Sequence, residues 1–173
     1  MSNKVPEMLI NYSMFLDGSR QIGTVDVALP NVQAVTQSIQ GAGIGGVADV
    51  PVLGHTQDMV MTVNFRIATV ESRDLLPQKY HHIEFWGALQ HLDAGTGEYE
   101  VIDHRVIVKA MPKGDNLGSM NPGELEGKAL EFNVVYLKET LDGQDMREID
   151  KFNMIYKIGS QDLLDKVRTS LGI

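Results

Sequence analysis

Three glycines, Gly41, Gly43 and Gly46, have the G-x-G-x-x-G spacing that cradles a pyrophosphate at a helix N-terminus. That chemistry needs a strand before the motif and a helix after it. Here Val47-Ala48-Asp49-Val50-Pro51 follows, and proline with β-branched residues opposes a helix. The stretch therefore reads as a loop between strands, and a nucleotide-binding enzyme built on Gly41–Gly46 is the weaker alternative. His55, His81, His82, His91 and His104 are the only histidines. None stands in H-E-x-x-H or another zinc spacing. Neighbours on a strand, His81 and His82 point to opposite faces and do not chelate one ion. His91 and His104 flank a turn predicted at 93–97, with no carboxylate triad to join them. All five read as surface or interface groups. No G-x-S-x-G, Walker or EF-hand pattern is present. Cysteine is absent, which removes disulfides and thiolate metal sites. No catalytic, metal-binding or cofactor-binding residue is expected, and no cofactor.

The elements that would position any such groups are mostly strands. Met8, Ile10, Tyr12, Met14 and Leu16 alternate on one face. Asp17-Gly18 marks a turn, and 20–29 reads as the returning strand. Residues 32–40 form a strand candidate with no convincingly apolar face, followed by the glycine stretch. The clearest alternation sets Met59, Met61, Val63, Phe65 and Ile67 against Val60, Thr62, Asn64 and Arg66. Residues 71–79 suit a short helix limited by Pro77. A strand over 82–92 carries Ile83, Phe85 and Leu89 on one face, and Asp93-Ala94-Gly95-Thr96-Gly97 turns it into 99–110. Residues 112–123 read as a loop. A long strand over 124–140 sets Leu130, Phe132, Val134 and Tyr136 against Ala129, Glu131, Asn133 and Val135, and Asp142-Gly143 turns it into 146–158. Leu163, Leu164 and Val167 have helical spacing, with Ser160 as N-cap, Asp162 in the first turn and Gly172 as the stop. The fold class is mainly β, antiparallel, with one or two short helices.

The chain of 173 residues fits one domain, 1–173, with a protruding glycine-containing region at about 32–53. An apolar content of 43% is enough for a core and argues against disorder. No apolar run is long enough to span a membrane, and the N-terminus lacks a secretory pattern. A net charge of −8 opposes a grip on nucleic-acid phosphates. It does not oppose lying near DNA without binding it.

Two blocks resemble the major tail tube family of contractile-tailed bacteriophages. The first is Asn11-Tyr12-Ser13-Met14-Phe15-Leu16-Asp17-Gly18 with Gly23, Leu29-Pro30 and the Gly41-Ala42-Gly43 loop. The second is Tyr136, Asp142-Gly143, Glu148-Ile149-Asp150, Asn153-Met154-Ile155 and the Leu171-Gly172-Ile173 end. With the order of elements, the likeness spans nearly the whole chain and is weakest over 68–110. It implies a β-sandwich or barrel protomer that gives four strands to a shared inner barrel. Six copies form a ring, and rings stack head to tail into the inner tube of the tail. The implied partners are further copies of the chain, the sheath around the tube, baseplate or initiator and terminator proteins at its ends, and the tape measure protein and DNA within. The implied location is the virion tail, assembled in the host cytoplasm. A headless tail-like bacteriocin and a type VI-like secretion tube are the related alternatives.

Strand spacing agrees with such a ring. Strands about 4.8 Å apart give 24 of them a perimeter of roughly 115 Å before tilt, a backbone diameter near 37 Å. Eight strands come to about 12 Å, which their own side chains fill. A polyanion passing through such a channel must not bind it, so the lining is expected to be polar and not basic. Lys128, Glu131, Asn133 and Glu139 are the polar positions of the long strand from which it could draw. Within 32–53, Gln40, Gly41, Ala42, Gly43, Ile44, Gly45, Gly46 and Val47 are expected to contact the next ring. Four glycines in six residues are costly to order without a neighbour.

Overall fold

The computed structural model describes residues 4–18, 20–22 and 25–173. It is mainly β and antiparallel. β1 (Lys4–Leu16) turns at Asp17 and Gly18, both with positive φ, into β2 (Arg20–Ile22). β3 (Val25–Ala28) pairs instead with β6 (Met59–Phe65). The expected single strand over 20–29 is therefore two, because the chain leaves one edge of the sheet and crosses to another. Between them, β4 (Ala34–Ile39) and β5 (Ala48–Thr56) pair only with each other among the described residues.

After β6 comes a short 3-10 helix (Glu71–Leu75), shorter than the expected 71–79 helix. Leu75 is buried and Leu76 lies outside. β7 (His81–Asp93) and β8 (Tyr99–Asn116) form the long hairpin expected around Asp93–Gly97. β8 runs into the segment expected to be a loop, and Pro112 lies within it opposite Phe132. A proline is tolerated there because β7 ends opposite Ala110 and leaves that stretch at an edge. β9 (Lys128–Leu141) and β10 (Gln144–Asp150) join through Asp142 and Gly143, with φ of 50° and 69°. Both angles are positive, as a tight I′ hairpin requires. The expected 146–158 strand breaks at the Asp150 carboxylate, which accepts the N–H groups of Phe152 and Asn153, both at 3.0 Å. β11 (Ile155–Ile158), β12 (Gln161–Asp162) and the helix α1 (Asp165–Leu171) finish the chain. Ser160 does not cap α1. The residue before the helix is Leu164, and Gly172 in the left-handed region closes it as expected.

The main sheet runs β12-β11-β10-β9-β8-β7-β1-β2, while β6, with β3 beyond it, joins the first half of β9. β9 thus pairs with β6 up to Val134 and with β10 from Tyr136. Val135 is the extra residue at that junction, and β8 passes from Lys109 opposite Tyr136 to Ala110 opposite Val134. The bulge flips the alternation. Leu130, Phe132 and Val134 are buried as expected, but the next core residue is Leu137 and Tyr136 lies on the opposite face. In the same way the extra residue Ile10 moves Met8 and Ile10 out of the buried set, which keeps Met14 and Leu16. The core fills from β6, with Met59, Met61 and Val63 fully buried, and from Ile83, Val108 and Phe132 on the facing strands. Ile67, past the end of β6, is exposed.

Candidate assembly surfaces

The residues that could have done chemistry do not converge. Gly41, Gly43 and Gly46 lie at the tip of the β4–β5 hairpin, where the Ile44 N–H donates to the Gly41 carbonyl at 3.1 Å and no helix follows. His91 stands opposite Glu100 and His104 opposite Gly87, about 13 Å apart along β7. His104 instead approaches Glu139 at 3.1 Å, and Arg147 holds the other oxygen of Glu139 at 2.6 Å. His82 meets Glu84 at 3.0 Å. His81 is not a surface group. It is buried, and its ring Nε2 lies 2.9 Å from the Pro77 carbonyl, tying the 3-10 turn to β7. Among the described residues no group of three His, Asp or Glu could hold a metal.

What the fold presents is surface built for contact. The first is the β4–β5 hairpin. Residues 36–53 are all exposed, and Ile39, Val50 and Val52 form one apolar face on it. A two-stranded ribbon is marginally stable by itself in water, so its root carries the anchorage. The Gln57 N–H donates to the Gln33 carbonyl at 2.8 Å, and the Lys151 ammonium donates to the Gln57 carbonyl at 2.7 Å. Burial pushes the Lys151 pKa down, a change the nearby Asp58 charge opposes. Asp58 takes Lys113 at 3.2 Å on one oxygen and the Asn133 amide at 2.8 Å on the other. Gly54 has φ +66°, and a Cβ there would lie 2.5 Å from a methyl of Leu164. Only glycine lets β5 pass that close to the C-terminal segment. At the tip, Gly41 and Gly45 have ordinary φ and nothing within 4 Å of a would-be Cβ. Nothing within the protomer calls for glycine at those two positions.

The second surface is the sheet β9-β8-β7-β1, which packs one face into the core and leaves the other open. Among the described residues β1 pairs only with β7 from Lys4 to Ser13, so that edge carries no second strand. The polar positions of β9 sort between the two faces. Lys128 is buried on the core face with Asp115 at 3.4 Å, and Glu139 shares that face with His104. Glu131 and Asn133 belong to the open one, in register with Thr62 and Val60. On the open face Trp86 packs against Phe15 with centroids 5.2 Å apart, and its indole N–H donates to Glu84 at 2.8 Å. The Arg105 guanidinium lies 4.4 Å over the same ring. Sequence reasoning missed this cluster and the hairpin root because both join positions far apart in the chain. The one local signal was Gly54, an isolated glycine within a strand pattern.

The fold and these surfaces define a β protein made to associate, with no constellation for catalysis among the described residues. A family model described as phage tail tube protein FII matches residues 6–172, and the chain belongs to that family. Its role is accordingly structural, in a tail tube. It is 27% identical to the tail tube protein of Escherichia phage P2 over 180 residues, 98% of this chain and 99% of the relative. The major tail tube protein of Serratia phage KSP20 is 26% identical over 174 residues, with 98% of each chain covered. Among solved structures, the sheath/tube terminator of the extracellular contractile injection system PVC, in its extended state, matches with a TM-score of 0.56 at 14% identity. That match covers 78% of this chain and 96% of the other, and it is a likeness of fold.

Proposed function

We propose that this chain closes into rings of six that stack head to tail as the inner tube of a contractile phage tail, a conduit for DNA, with no catalytic activity of its own. The observation that carries this is the unpaired edge of β1 beside long neighbouring strands. Ten residues of exposed backbone donors and acceptors invite a second chain. Head-to-tail closure around a ring removes such edges from every copy at once. The sheath encloses the tube, baseplate and terminator proteins bind its ends, and the tape measure protein fills it before DNA. The chain acts as one tube domain with the β4–β5 hairpin as its projecting arm. That arm, with Gln40 to Val47 at its tip, reaches the next ring. Its apolar face has no cover within the protomer, and two of its tip glycines serve nothing there.

Negative-stain microscopy of the purified protein without added cofactor tests the assembly, with rings or tubes expected. A monomeric mass at high concentration with no tubes would overturn it. Replacing 40–47 with a short Gly-Ser linker tests the arm. Folded subunits or single rings that no longer polymerise are expected, and tubes of normal length and stability would refute the stacking role.

A further inference from the structure

The structure assigns the lining of the channel. We infer that the open face of β9-β8-β7-β1 looks onto water in the tube, and that a polyanionic duplex slides past it because its cations are already held. The inference rests on the tube reading above and says which side of the sheet the lumen sees.

The core covers one face of these strands completely, with Phe85, Val106 and Leu137 in register across it. A channel therefore has only the opposite face to border. Adjacent residues there are mixed in kind. Ser13, Trp86, Arg105 and Thr140 lie in one row across the four strands, and Phe15, Glu84, Ile107 and Lys138 lie in the next. A face meant for burial against another subunit would be depleted of charge, whereas this one carries charge on β7, β8 and β9.

The arrangement of that charge makes the second half of the case. Arg105 is held by Asp103 at 3.3 Å and lies over Trp86. Lys109 lies 5.4 Å over the Tyr136 ring. Lys138 pairs with Asp145 at 2.9 Å, and beyond it on the same face Lys157 pairs with Glu148 at 3.2 Å. Grip on DNA comes from cations that neutralise phosphates and release their counterions. Here each cation has a neighbour that competes with a phosphate.

Because the natural chain has no cysteine, single thiols report the surface without background. Thr140→Cys and Ala88→Cys place one thiol each on the inferred lining. Each variant is treated, as dissociated protomers and as assembled tubes, with N-ethylmaleimide and with a maleimide carried on an immunoglobulin, which is too wide for the channel. The expected result is full reaction with the small reagent in both states. Reaction with the carrier falls at least tenfold on assembly, leaving only tube ends labelled. Equal carrier labelling of tubes and protomers would place this face outside and overturn the assignment. Loss of the small-reagent reaction in tubes would bury it between subunits and do the same. If both variants fail to assemble while the natural chain forms tubes, the face is a packed interface and the assignment falls. If the natural chain itself forms no tubes, the tube reading fails first.

Discussion

β4 and β6 are strands of six and seven residues with a similar share of β-branched and small side chains, yet they end in opposite circumstances. β6 lies between β3 and β9, and Met59, Met61 and Val63 lose all contact with water. β4 has β5 as its only partner, and none of its residues is buried. Strand formation in the first case follows from one face packing into a core. In the second it rests on a ladder and on a root fastened by Gln57, Asp58, Lys151 and Gly54. Alternation of apolar residues therefore reports burial within the protomer. A strand without that alternation marks surface that belongs to the assembly.

The core half of the comparison breaks most sharply at Phe132, which is fully buried on β9 opposite Met61. Phe132→Ala is expected to cost about 3–5 kcal/mol through lost burial and the cavity left behind. Urea unfolding followed by circular dichroism measures it, and a loss under about 1 kcal/mol would mean that this core collapses around the gap.

The root is the next most sensitive place. Gly54→Ala puts a methyl into the Leu164 side chain and forces alanine to a φ of +66°. The expected loss is about 1–3 kcal/mol from strain and overpacking together. Gly54→Ala with Leu164→Ala removes the collision and keeps the backbone strain. If the double variant unfolds no later than Gly54→Ala alone, the cost lies in the backbone and the loss of the buried Leu164 contact. Cleavage of the β4–β5 hairpin by trypsin or thermolysin, compared between the two, reads the local effect.

At the tip of the arm the expected effect on the protomer is nearly nil. Replacing 40–47 with a Gly-Ser linker changes only exposed residues and is expected to stay within about 0.5 kcal/mol in unfolding. A large loss of stability would show that the tip packs on its own subunit, and the contrast between arm and core would collapse.

Much of this contrast was legible in the chain. The β6 alternation, the 93–97 and Asp142-Gly143 turns and the exposed character of 32–53 follow from side-chain period and turn chemistry. Other features were not legible because they depend on pairing. The bulges at Ile10 and Val135 each shift a strand by one residue, so Met8 and Tyr136 leave the faces that strict alternation assigns them. The break between β2 and β3 arises because two sheet edges compete for one segment. Pro112 remains in a strand because β7 happens to end beside it. The division of Lys128 and Glu139 from Glu131 and Asn133 needed the same bulge. The tip glycines were read correctly as a loop, but their lack of any role within the protomer emerged only from the space around them.

The smallest expected effect concerns Tyr136, displaced onto the open face by the Val135 bulge. Its hydroxyl donates to Glu148 at 3.1 Å. Partial burial first, and then the Glu148 charge and that hydrogen bond, push its pKa up to about 12. A folded-state value above the ordinary tyrosine value of about 10 means that the folded chain keeps a proton which the unfolded chain releases. The stability tied to this proton is complete below about pH 10 and is lost as pH rises towards 12. Tyr136→Phe removes the titrating group, so the stability of the natural chain should fall more steeply than that of the variant between pH 10 and 12. Below pH 9 the difference between the two should be independent of pH. Chemical unfolding at closely spaced pH values measures both arms. Parallel curves up to pH 12 would mean that Tyr136 titrates alike in the folded and unfolded chains and has no hold on Glu148.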